Sequence, residues 1–199
     1  EKFSNQLYEW GKNDSIKQVL LVGEGNHFCA GGDVKGLVLA GKNSDLKKKF
    51  FLSEYKLNYQ ISNFPKPYLS IWKGVVMGGG VGLSIYGNYR IVTDTTKLAM
   101  PETAIGFFPD VGGSYFLSRL KYNYGLFLAL TGQMINHNEI LELGFGTHYC
   151  PNDQINNFID KFIMNQTIGI SDKIILKNKN KLKNFNLIND CFKGNIKDI

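Results

Sequence analysis

The stretch VVMGGGVGLSIYG, residues 75–87, places five glycines in thirteen residues, and Gly78, Gly79 and Gly80 are consecutive. The residues before them are apolar and strand-like; those after them carry helical spacing at Leu83 and Tyr86. Glycine costs a regular element roughly 0.5–1 kcal/mol relative to alanine. A cluster at one junction therefore predicts a strand that turns abruptly into a helix with its backbone uncovered. The first N–H groups of a helix find no partner within it, and negative charge is favoured in front of them. No acidic residue lies between Val75 and Thr93. FCAGGD, residues 28–33, is a second turn of this kind. Two backbone donors from separate turns, converging on one oxygen, make an oxyanion hole. The same glycines also suit tight turns packed for steric reasons, and by themselves they leave both readings open.

The rest of the chain alternates strand and helix signals. Residues 1–12 read as an amphipathic helix with Phe3, Leu7 and Trp10 on one side. QVLLVGEG reads as a buried strand ending in a glycine turn, and NHFCAGGD as a loop. DLKKKFFLSEYKLNYQISNF reads as a long helix that Pro65 and Pro67 stop, and YLSIWKGVVM as one extended run. YRIVTD, KLAMP and THYC read as strands; DVGGSYFLSRL, YGLFLALTG and HNEILELG read as helices. Alternation of this kind predicts an α/β fold with parallel strands. No internal repeat or long linker interrupts it.

At 199 residues and 43% hydrophobic, the chain is the size of one domain, or a large part of one, with a sizeable core. Its longest apolar runs are too short to span a bilayer. Of the net charge of +6, half lies at the end of the chain, where eight lysines and ten asparagines stand against five aspartates after Pro151. That tail reads as solvated helix faces; with neither arginine nor an aromatic platform it is a weaker nucleic-acid surface. Cys29, Cys150 and Cys191 are too few and too scattered for a disulfide framework and read as reduced thiols of an intracellular protein. His27, His137 and His148 lack metal-ligand spacing. Neither Ser84 nor Ser114 forms the Gly-x-Ser-x-Gly turn of a serine hydrolase. No phosphate-binding Gly-x-x-x-x-Gly-Lys-Ser/Thr occurs, and Leu83 stands where Gly-x-Gly-x-x-Gly needs its last glycine.

FCAGGDVKGL, KGVVMGGGVGLS and MPETAIGFFPDVGGSYFLSRL, in that order, resemble the crotonase superfamily, also known as enoyl-CoA hydratase/isomerase. Within it they are most similar to the hydrolases of 3-hydroxyisobutyryl-CoA, which act in valine breakdown. The likeness runs from the first helix to about Cys150, with LALTG and GTHY also family-like. It implies an α/β crotonase-like fold of repeated ββα units, parallel sheets flanked by helices, and a thioester held in the oxyanion hole by the N–H groups of Ala30 and Gly79. It implies catalytic roles for Glu102 in PETAIG and Asp110 in FPDVGG, and a substrate-binding set of Glu54, Gly79, Glu102 and Asp110. Each acid also has a plain structural reading: Glu102 as a first-turn helix glutamate, Asp110 as the N-cap of the helix after it, Glu54 as an exposed helix charge. Enoyl-CoA hydratases carry two glutamates, and the position of the first is Gly82 here. Adding water across a double bond needs one group to activate water and another to handle the proton at carbon. Thioester hydrolysis needs carbonyl polarisation and one carboxylate, acting through water or by direct attack to give a mixed anhydride. The sequence leaves these two routes open.

The expectation is therefore the core of an acyl-CoA thioester hydrolase, with residues 1–150 forming a crotonase-like core that lacks its first strand and 151–199 opening a truncated C-terminal helical region. No cofactor is expected, coenzyme A being part of the substrate, and no metal, nucleic acid or membrane partner. A homo-oligomer formed through the rest of the C-terminal region and a mitochondrial location follow from the resemblance. The rival readings are a hydratase or isomerase acting on another acyl-CoA, and a non-catalytic relative serving as an assembly or ribosome-associated protein.

Overall fold

The computed structural model describes residues 1–41, 44–165, 182 and 184–193. Helix α1 (Lys2–Lys12) buries Leu7, with Phe3 and Trp10 beside it, against Ile61 and Tyr68. Strand β1 (Val19–Val22) leads, through the 28–33 loop, to a short helix α2 (Val34–Leu39) and the long helix α3 (Leu46–Ser62). Helix α2 had no clear signal in the sequence; Asp33 caps it, accepting from the Gly36 N–H at 2.9 Å.

The extended run predicted for YLSIWKGVVM is in fact two strands in two sheets. Strand β2 (Tyr68–Trp72) is buried along its whole length, and β3 (Val75–Met77) follows after Lys73–Gly74. Gly74 has φ of 60°, and a Cβ there would lie 2.2 Å from the Asn26 carbonyl oxygen. Only glycine fits a backbone so placed, and this corner sends the chain from one layer into the other.

The glycine run then opens helix α4 (Gly79–Gly82), followed by β4 (Tyr89–Val92), β5 (Lys97–Ala99) and a 3₁₀ turn over Glu102–Ile105. Helices α5 (Gly113–Leu117) and α6 (Tyr124–Thr131), strand β6 (Ile135–Asn136), helix α7 (His137–Glu142) and strand β7 (His148–Tyr149) complete the core. A 3₁₀ turn at Asn152–Gln154 leads into α8 (Ile155–Asn165), and α9 (Phe185–Cys191) follows.

Strands β1, β2, β4 and β7 form one sheet in that order, every pair parallel. Strands β3, β5 and β6 form the second, with β3 and β5 parallel and β6 antiparallel to β5. The antiparallel edge departs from the all-parallel expectation. Strand β6 runs straight into α7 through a capping box, in which Asn136 accepts from the Glu139 N–H and the Glu139 side chain accepts from the Asn136 N–H. A parallel bridge between Cys29 and Val76 docks the 28–33 loop on the second sheet.

The largest apolar core, around Trp72, Val76, Val81, Leu98 and Phe145, lies between the two sheets and helices α5 to α7. Among the described residues, no helix is long and apolar enough to cross a membrane. The lysine-rich helices predicted after Pro151 cannot be followed: α8 holds only Lys161 and α9 no lysine, and the run Lys173–Lys183 lies outside the described residues except for Leu182.

Candidate active site

The two glycine turns face one another. The Gly78 N–H bonds the Ala99 carbonyl at 3.3 Å, and its φ of 51° turns the chain out of β3. The next N–H, of Gly79, and that of Ala30 donate to no acceptor among the described residues. A Cβ placed on Gly79 would lie 3.5 Å from the Gly32 nitrogen, and one on Gly31 would lie 4.0 Å from the Gly79 nitrogen. The two turns thus lie side by side, with a gap between them that side chains would fill. Helix α4 is only four residues long. The bare N–H groups, rather than a summed helix dipole, give this end its polarity.

These turns form the floor of a cleft of about 470 Å³ whose walls are largely apolar. Val38 of α2, Phe50 and Phe51 of α3 and Phe107 enclose it, with the Phe51 and Phe107 rings stacked at 5.6 Å between centroids. Three carboxylates enter this apolar space: Glu54 from α3, Glu102 from the 3₁₀ turn and Asp110. A Cβ on Gly79 would meet Glu54 Oε1 at 2.5 Å, and a Cβ on Gly78 would meet Glu102 Oε1 at 3.1 Å. Both glutamates therefore lie close against a glycine-turn backbone that lacks side chains.

Burial, then Asp110 and Glu102, push the Glu54 carboxyl up to about 7. Burial raises Glu102, against a lowering by its own N–H, and Asp110 raises it further. Its Oε2 is buried without a hydrogen-bond partner. Burial also raises Asp110, opposed by the hydroxyl of Tyr55, which donates to Oδ2 at 2.9 Å, and by its own N–H. Acids clustered in a largely apolar cleft, with their carboxyls raised by burial, are the pattern of a candidate functional site. Among the described residues no three His, Cys, Asp or Glu side chains are grouped so that they could hold a metal ion. His27 Nδ1 accepts from the Val75 N–H at 3.2 Å, joining the loop to β3.

All the residues singled out in the sequence line this one cleft: Ala30, Glu54, Gly79, Glu102 and Asp110. Two plain readings fail. Glu54 is half-buried at the cleft, not a solvated helix charge. Asp110 caps no helix: α5 begins later than predicted, with Gly112 at its N-cap, because Val111 and Gly112 are left-handed at φ of 43° and 84°. Nothing in the sequence pattern points to Tyr55, which lies 55 residues from the carboxylate it bonds. Position 82 is closed. A Cβ there would lie 2.7 Å from Val111 Cβ and 2.9 Å from Asn58 Nδ2.

The family described as enoyl-CoA hydratase/isomerase matches residues 1–199. The chain belongs to that family. Curated relatives include the mitochondrial 3-hydroxyisobutyryl-CoA hydrolase of Danio rerio, 43% identical over 84% of this chain and 44% of that protein. Another is 3-hydroxyisobutyryl-CoA hydrolase 1 of Arabidopsis thaliana, 47% identical over 72% of this chain and 39% of that protein. The chain spans less than half the length of these relatives. Among solved structures, a carnitinyl-CoA dehydratase from Mycobacterium thermoresistibile superposes with a TM-score of 0.87 at 39% identity, over 99% of this chain and 59% of that one. An enoyl-CoA hydratase from Rhodobacter sphaeroides gives 0.86 at 31% identity, over 100% and 59%. The crotonase fold expected from the sequence is the fold observed.

Proposed function

We propose that the protein hydrolyses an acyl-CoA thioester, with 3-hydroxyisobutyryl-CoA as the substrate and 3-hydroxyisobutyrate and CoA as the products. The observation that carries this reading is the closed position 82. The cleft is not short of carboxylates, since Glu54 and Asp110 stand beside Glu102. What it has no room for is an acid on α4, where the resemblance puts the first glutamate of a hydratase. The names of the curated relatives support the same substrate.

In this reading the thioester carbonyl oxygen sits between the N–H groups of Ala30 and Gly79, which stabilise the negative charge that develops there. Glu102 takes a proton from water as it attacks the carbonyl carbon, or attacks that carbon itself to give a mixed anhydride that water then opens. When water attacks, a C–O bond to water forms as the C–S bond breaks, and Glu102 passes the water proton to the departing thiolate. By the anhydride route the C–S bond breaks as a C–O bond to Glu102 forms, and the thiolate takes a proton from solvent; water then replaces Glu102 on the acyl carbon and frees its carboxylate. Asp110 receives the 3-hydroxyl of the acyl group and Glu54 contacts the substrate. A mitochondrial location, as in the names of several relatives, belongs to the same proposal.

A second reading, hydration or dehydration of an acyl-CoA, is favoured by the names of the two solved structures. The experiment that separates the two incubates the whole protein with 3-hydroxyisobutyryl-CoA and, separately, with crotonyl-CoA. Release of free thiol from the first and no loss of enoyl-thioester absorbance from the second is expected. Fast hydration without thiol release overturns the hydrolase reading.

A further inference from the structure

Asp110 sits on a turn that its own residues do not favour. Val111 is β-branched yet has φ of 43°, a left-handed conformation that such a residue rarely adopts. Two tyrosine hydroxyls from other elements grip this turn. Tyr86, just beyond α4, donates to the Val111 carbonyl at 2.8 Å. Tyr55, on α3, donates to Asp110 Oδ2 at 2.9 Å. Asp110 belongs to the wall of the main cleft. Tyr55 does not: with Asn58, Tyr86 and Val111 it lines a second hollow of about 590 Å³ behind the turn. Tyr55 thus reaches the carboxylate from a hollow other than the substrate space. Burial first, and then the bond to Asp110, push its phenol well above the ordinary value, so it stays a proton donor at neutral pH.

We propose that Tyr55 is a positioning residue for this site: its hydroxyl fixes one oxygen of Asp110 and leaves the other to accept a hydrogen bond from the substrate. The proposal rests on the reading of Asp110 as a substrate-contacting acid. Tyr86 holds the same turn through the backbone alone, so it provides the contrast. The titratable groups around Asp110 are Tyr55 and Glu54 from α3 and Glu102 from the 3₁₀ turn. Of these, only Tyr55 favours the ionised form of Asp110; losing its bond moves Asp110 titration upward.

The test compares Tyr55→Phe, Tyr86→Phe, Asp110→Asn and the double variant Tyr55→Phe/Asp110→Asn in the whole protein, by kcat, KM, pH profile and melting temperature with 3-hydroxyisobutyryl-CoA. Tyr55→Phe is expected to lower kcat/KM about tenfold, the value of a hydrogen bond to a charged group, and to move the acid limb of the profile to higher pH. Tyr86→Phe is expected to lower the melting temperature and leave the acid limb in place. In the double variant, the Tyr55→Phe loss should vanish, because residues acting through one another are not additive. An unmoved acid limb in Tyr55→Phe, or a full further loss in the double variant, overturns the proposal. Full activity in Asp110→Asn overturns the reading of Asp110 itself, and Tyr55 falls with it.

Discussion

The side chain of Val111 occupies the space that a side chain at position 82 would need: a Cβ on Gly82 would lie 2.7 Å from Val111 Cβ and 2.8 Å from its Cγ1. One contact thus links two features of the site. It removes the place for an acid on α4, and it accommodates the left-handed turn that presents Asp110. Gly82→Ala is therefore expected to destabilise the protein by about 1–3 kcal/mol, as overpacking does, even though alanine suits a helix better than glycine. Thermal unfolding measures this. Gly82→Glu should create no crotonyl-CoA hydration, since its carboxylate cannot enter without displacing Val111. A stable Gly82→Glu protein that hydrates crotonyl-CoA would show that the α4 position is open.

Gly79 is expected to act through its N–H. Proline removes that donor and fixes φ, so Gly79→Pro should lower turnover by about 10²–10³-fold. Circular dichroism checks that the turn change has not unfolded the chain. A folded Gly79→Pro protein with full turnover would remove this amide from the site.

Glu102→Gln should reduce turnover by about 10²–10⁴-fold, the range for loss of a general base. It should not lower the melting temperature at pH 8, because burial already disfavours the charged form and Oε2 has no partner to lose. Asp110→Asn should hurt 3-hydroxyisobutyryl-CoA more than isobutyryl-CoA, whereas Glu102→Gln should hurt both alike. Steady-state kinetics on the two substrates decides. Equal losses from Asp110→Asn would end its assignment to the 3-hydroxyl.

Glu54 makes stability depend on pH. Its folded value is raised from 4.5 to about 7, so the folded state binds the proton more tightly than the unfolded chain. The stabilisation is complete below the unfolded value of 4.5 and fades as pH rises through 7. Glu54→Gln should remove this dependence and melt higher than the native protein at pH 8. Allowing for solvent screening at a half-exposed group, the gain is about 1 kcal/mol, or about 2–4 °C. The two curves should meet near pH 4. Parallel curves across that window would show that Glu54 titrates normally.

Local signals determined much of this protein. The strand–glycine–helix junction at 75–87 and the α/β alternation could be read in the sequence, because each rests on residues within a few positions of one another, whereas the acids in PETAIG and FPDVGG stand out through the resemblance of those motifs to the family. Packing decided the rest. The run YLSIWKGVVM carries one extended pattern, and only the contact of Gly74 with Asn26 divides it between two sheets. Glu54 has the spacing of an exposed helix residue, and becomes a cleft acid because α3 lies across the glycine turn. Val111 and Gly112 sit in a stretch with helical spacing, yet turn left-handed where Tyr86 holds Val111 and Tyr55 holds the neighbouring Asp110. A sequence pattern reports preferences a turn or two along the chain. Tyr55 and Asp110 meet only once the helix and the turn are packed together, so their bond follows from the tertiary structure.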